Sequence, residues 1–172
     1  MGKFILFIFA MITLSASSTP VVLIGRDQHL FWISRSKDAN FIYYDLNLDN
    51  NGNLDQDQPV VPYWIKKAED GRREDLTMIQ ENLAYGIVYD NILVDQAIFH
   101  FVSYPQRKLL LKKDSLGIYR VYIESQGEYH IALSNIHIQI DGGTFWVPNV
   151  TQVSIYGVSL ATSSKYEEHI QP

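Results

Sequence analysis

From about His29 to Ala161 the apolar positions fall on alternate residues more often than on a 3.6-residue period, and Val, Ile, Tyr, Phe and Trp supply most of them. Such a chain is built from half-buried strands. The alternation predicts strands over 29–34, 41–48, 60–67, 86–95, 97–104, 108–113, 117–124, 128–141 and 150–161. The separators Lys37-Asp38-Ala39-Asn40, Pro105-Gln106, Asp114-Ser115, Gln126-Gly127 and Gly142-Gly143 are turn sequences too short for crossovers. Neighbours in sequence are therefore expected to pair antiparallel. In the strand ending at Asp141, Ile136, Ile138 and Ile140 share one face, whereas Tyr129, Ile131 and Leu133 are apolar in the opposite phase. A bulge near Ser134-Asn135 reconciles the two halves.

One segment departs from the alternation. After Asp70-Gly71, Leu76, Ile79 and Leu83 lie on one helical face of the stretch Arg72 to Tyr85, and Gly86 stands where a C-terminal cap belongs. This predicts one amphipathic helix of about three to four turns, covering a face or an open end of the sheet. The expected fold class is mainly β (α+β): an antiparallel β-barrel or sandwich of about eight to nine strands with one amphipathic helix packed on it.

The N-terminus has a different pattern. Lys3 precedes an apolar run from Phe4 to Leu14, followed by Ser15, Ala16, Ser17 and Ser18. That is the layout of a secretory signal peptide, and the run is roughly half the ~20 residues a spanning helix needs. The expected organisation is a signal peptide over 1–18, cleaved after Ser17 or Ser18, and a single β-rich domain over 19–172 with no transmembrane segment. The protein is then exported, to the periplasm or beyond the cell. The chain has 172 residues, one ordinary domain's worth, and a net charge of -5. An acidic balance with only scattered basic pairs argues against nucleic acid as a partner. With no cysteine, disulfides, thiolate metal sites, a lipoprotein anchor and cysteine nucleophiles are all excluded, so packing must hold the fold.

The most distinctive chemistry lies between strands. Asn47, Asp49, Asn51, Asn53, Asp55 and Gln58 occupy positions 1, 3, 5, 7, 9 and 12 of a calcium-binding loop, with Gly52 at the turn. Asn at the first position and a neutral Gln at the last leave only Asp49 and Asp55 to bring charge, so calcium is a possible ligand and not a required cofactor. The competing reading is a long hairpin loop whose Asn and Asp side chains bond their own backbone. Among the histidines, none is spaced from another as a metal pair, and His137, in the polar row with Asn135 and Gln139, is the best single candidate for binding. No nucleophile elbow, S-x-x-K pair or P-loop is present, so no catalytic residue is assigned.

The stretch Tyr44 to Asn47 with Asp49, Gly52 and Leu54, then Val61-Pro62-Tyr63-Trp64-Ile65, then Gly71-x-Arg73-x-x-Leu76 and Ile79-Gln80-x-x-Leu83-Ala84-Tyr85-Gly86 resembles an uncharacterised family of exported bacterial proteins, domain of unknown function 4833. The resemblance runs roughly from Phe31 to Glu168, with Tyr156-Gly157 its last mark. It implies a single-domain envelope protein with a signal peptide and no established activity, so it carries over no catalytic residues. Within its blocks, Arg73, Gln80 and Tyr85 are polar residues that a packing helix does not require, and they join His137 as candidate ligand-binding positions. The leading expectation is a non-enzymatic binding domain of the envelope, holding a small apolar or sugar ligand in a barrel mouth or cleft. The alternatives are a protein–protein interaction or assembly module, and a hydrolase whose site forms only in three dimensions.

Overall fold

A computed structural model describes residues 28–144 and 147–172. The expected signal peptide lies outside the described residues. Eleven strands follow one another: β1 (His29–Arg35), β2 (Asp38–Leu46), β3 (Val60–Ile65), β4 (Arg73–Asp75), β5 (Ile87–Ile92), β6 (Gln96–Phe101), β7 (Tyr104–Lys113), β8 (Tyr119–Ser125), β9 (Glu128–Gly143), β10 (Pro148–Ser159) and β11 (Lys165–Ile170). Among the described residues a single helical segment, α1 (Met78–Gln80) running into a π-type turn (Glu81–Tyr85), lies between β4 and β5. The described fold is mainly β with one short helix.

The strands form one curled sheet in the order β4-β3-β2-β1-β9-β8-β7-β6-β5. The long strand β9 organises it. Asn135 to Ile138 pair with both β1 and β10, and Ile131 and Ala132 pair with both β8 and β10. A strand has two edges, so β10 runs along one of them while β8 and β1 share the other in succession. Two arms, β1–β4 and β8–β5, thus leave the same edge of β9 and curl toward each other, giving a half-barrel. Their inner faces meet where Phe31 and Tyr44 stand edge-on to Phe101, with centroids 6.1 and 5.6 Å apart. Leu46, Leu54, Val60, Phe99, Leu111 and Val121 fill one end of the curl almost without exposure. That end is sealed where the Leu54 amide donates to the Val94 carbonyl at 3.0 Å and Tyr89 Oη bonds both backbone groups of Val60.

The expected bulge is present. Tyr156 faces Asn135 and Gly157 faces Leu133, so Ser134 has no counterpart on β10. The extra residue returns Ile131, Leu133, Ile136 and Ile138 to one face. Strands adjacent in sequence that pair do so antiparallel, as expected, while β1 and β9 pair in parallel, a contact between distant segments that turn lengths do not report. Two expectations are corrected. The sheet has a strand more than the alternation showed at its end, because Lys165–Ile170 pairs with β10 although two glutamates make it read as a solvated tail. The helix is much shorter than Arg72 to Tyr85. Arg73–Asp75 continues the sheet on the edge of β3, and helical structure starts only at Thr77, whose hydroxyl accepts from the Gln80 amide while the Gln80 side chain accepts from the Thr77 amide. Gly86 ends the turn without a left-handed conformation, its φ being -67°. Of the apolar stripe, Leu76 is buried, whereas Ile79 and Leu83 are 49% and 67% exposed, so the segment is not packed down along its length. Among the described residues no helix is long and apolar enough to cross a membrane.

Candidate functional site

Opposite the sealed end the curl stays open. There it encloses a cavity of about 680 Å³, within the range of small-molecule sites. Its floor is the last core layer, Ile33, Phe101, Leu109 and Ile123, and its wall is the isoleucine row of β9 facing Val150, Val153 and Ile155 of β10. The helical turn lies at the mouth with Ile79 and Leu83, which explains their exposure: they face the opening rather than a packed neighbour. The turn is held from beneath. Tyr44 Oη donates to the Tyr85 carbonyl at 2.9 Å, and burial pushes the Tyr44 phenol well above its ordinary pKa, so it stays a donor. Trp64 Nε1 donates to Gln80 Oε1 at 3.2 Å, and the Trp64 ring stands edge-on to Tyr85.

The charged side chains on the lining are mostly basic. Arg35, Lys37, Lys66 and Arg107 contribute four cations, against the single carboxylate of Asp38. Arg35 lies over the Trp64 ring at 4.8 Å, pairs with Asp38, and donates from Nη1 to Tyr85 Oη at 3.0 Å. Lys66 Nζ lies 5.3 Å from the same Trp64 ring, so the two cations flank one aromatic. Lys37 Nζ reaches the Gly142 carbonyl at 3.2 Å. Arg107 makes a two-pronged pair with Glu168 of β11, at 3.2 and 2.5 Å, and Tyr166 Oη donates to the same carboxylate. The Nε groups of Arg35 and Arg107 are buried without an acceptor among the described residues.

The candidates read from sequence divide between this cavity and other places. Gln80 and Tyr85 line it. Arg73 lies over the Tyr63 ring at 3.7 Å, beside a network in which Tyr63 Oη donates to Asp45 Oδ2 at 2.7 Å and His29 Nδ1 meets Asp45 Oδ1 at 2.6 Å. His137 is bonded through Nδ1 to Ser34 Oγ at 2.9 Å and is not on the lining. In the loop between β2 and β3, Asp49 Oδ1 accepts from the amides of Asn51 and Asn53, Asp55 Oδ1 accepts from those of Asp57 and Gln58, and Asn47 Nδ2 donates to the Gln58 carbonyl. The bonds of Asp49, that from the Asn53 amide foremost, hold its carboxyl below the usual range. Among the described residues no three His, Cys, Asp or Glu side chains gather as a metal site.

A family model, Domain of unknown function (DUF4833), matches residues 31–169. The chain belongs to this family. No curated protein and no solved structure matches it. The span matched by the domain of unknown function 4833 contains Arg35, Lys66, Tyr85 and Arg107, so the basic lining lies within the family's domain. Sequence reasoning reached only the mouth of this site. Arg35 and Lys66 carry no motif, standing at the ends of strands beside turns, where basic residues are ordinary. Arg107 follows Pro105-Gln106, which reads as a turn rather than as the start of a long strand.

Proposed function

We propose that this protein is a non-enzymatic binding domain that holds a small apolar ligand in the open end of its curled sheet. The observation that carries the reading is the cavity of about 680 Å³ with an aliphatic floor and wall, which remains open although buried side chains fill the other end of the curl. The aliphatic floor and wall of Ile, Leu and Val favour a hydrocarbon in the depth of the cavity. Among the described residues no side chain on the lining is placed as a nucleophile beside a base, which supports binding rather than turnover. The N-terminal layout of Lys3, the apolar run and the small residues supports an exported protein, working in the periplasm or outside the cell.

The test is a titration with a neutral fluorescent probe, N-phenyl-1-naphthylamine, followed by competition with dodecanol. One saturable site emptied by dodecanol is the expected result. Fluorescence that rises without saturating, or that dodecanol leaves unchanged, would overturn the reading.

A further inference from the structure

We infer that the ligand is a single-chain amphiphile with an anionic head, its hydrocarbon on the isoleucine wall and its head at the mouth against Arg35, Lys66 and Tyr85. The inference rests on the binding reading above and specifies its ligand. Three observations lead to it. The first is the sign of the charge. The chain as a whole carries -5, yet the ionisable side chains on its cavity lining are four cations and one carboxylate, and although Glu168, off the lining, pairs with Arg107, the cations stay in excess. In an acidic protein, an excess of cations around an apolar recess provides electrostatic complementarity to an anion there.

The second is the arrangement at Trp64. Arg35 and Lys66 both lie against its ring, at 4.8 and 5.3 Å, so one aromatic holds two positive groups in the same neighbourhood in addition to their carboxylate partners. Asp38 answers Arg35, and Glu74 is 3.7 Å from Lys66 and 44% exposed, which is a weak, solvated pair. The third is Tyr85. Its hydroxyl accepts from Arg35 Nη1, and its own proton has no acceptor among the described residues. A phenol hydroxyl polarised by a guanidinium, at the rim of a cavity, is a ready donor to an anionic oxygen. A ligand that was hydrocarbon throughout would leave these three groups unused. A free small anion would leave the cavity behind them unused. Only a molecule with both parts engages the whole site.

The experiment compares dodecanoate, the neutral dodecanol and acetate by competition against the same neutral probe, at two ionic strengths and at a pH where the acid is ionised. Dodecanoate is expected to bind roughly tenfold or more tighter than dodecanol, as charge-assisted hydrogen bonds provide. Added salt should narrow that margin without changing dodecanol, and acetate should not displace the probe. In Lys66→Gln, and separately in Tyr85→Phe, the margin between dodecanoate and dodecanol should shrink while the melting temperature stays near wild type. Lys66 serves as the main variant because Arg35 also braces Trp64. If dodecanol competes as well as dodecanoate, the anionic head is wrong and the apolar-binding reading stands. If neither competes, both fall. Acetate displacing the probe as well as dodecanoate would mean a simple anion site and overturn the amphiphile.

Discussion

At Gly157 an added Cβ would stand 2.7 Å from the Ala132 carbonyl oxygen and 2.8 Å from Cγ2 of Ile131, both on the paired strand β9. The bulge at Ser134 draws β10 against β9 at this point, and only a hydrogen fits between them. Gly157→Ala should therefore lower stability by about 1–3 kcal/mol, the usual cost of overpacking, read as a shift in the urea midpoint. Gly86 is constrained in the same way, for its Cβ would overlap the Glu81 carbonyl that its own amide bonds. Its backbone is ordinary, so the reason for glycine there is space, a requirement that a cap motif in sequence does not reveal. Tyr89 gives a second test. Burial raises its phenol to about 12, while in the unfolded chain it ionises near ~10. Below that lower value both states are neutral and its contribution is intact. Between the two values only the unfolded chain loses the proton, so stability falls as pH rises through the window. Tyr89→Phe should flatten this alkaline limb in part, since burial also raises Tyr44 and Tyr63.

The loop between β2 and β3 and the segment between β4 and β5 show what sequence can and cannot settle about an element. In the loop, Asx-type bonds from Asp49 and Asp55, with Gly52 at φ 80°, give the self-bonded hairpin that the Asn and Asp spacing allows. Its anchor is Leu54, fully buried and bridged to Leu48. Leu54→Ala should cost about 2–5 kcal/mol, as large-to-small core changes do, and should loosen the sealed end first in hydrogen exchange. The other segment has a helical sequence pattern because Leu76, Ile79 and Leu83 recur at a helical period. The period is real, but it reflects one anchor and two residues at a cavity mouth, and periodicity does not distinguish a packed face from a face turned to a recess. The turn between β7 and β8 gives a pH test. Arg120, then the amides of Ile118 and Leu116, hold the Asp114 carboxyl below its usual range. A carboxyl held low stabilises the fold above its unfolded value near ~4, and that contribution is lost as pH falls through the folded value. Asp114→Asn should start less stable at neutral pH and show a flatter decline of melting temperature in acid.

Across the whole molecule, the architecture depends on contacts between distant parts of the chain. The alternation in β1, β2, β6, β7 and β8 marked the strands, and the phase change in β9 marked the bend. Neither could show that β1 would take the second half of the edge that β8 leaves, since parallel pairing of the first strand with one a hundred residues on is invisible to local pattern. The site inherits that difficulty. Arg35, Lys66, Tyr85 and Arg107 lie on four separate segments that only the curl brings to one opening. The pair between Arg107 and Glu168 shows the same closure from the far side, joining β7 to β11, which share no backbone pairing.

The packed end of the half-barrel sets a fixed depth. Phe101, Leu109 and Ile123 form the bottom of the recess, and the residues behind them leave no room to retreat. The protein should therefore act as a gauge of hydrocarbon length. Along a series of straight-chain carboxylates, each added methylene should improve affinity by about 0.8 kcal/mol, roughly fourfold, until the chain meets that floor. Past this length the gain should stop abruptly, and trimming Leu109 to alanine should move the break to longer chains, as competition across the series would reveal.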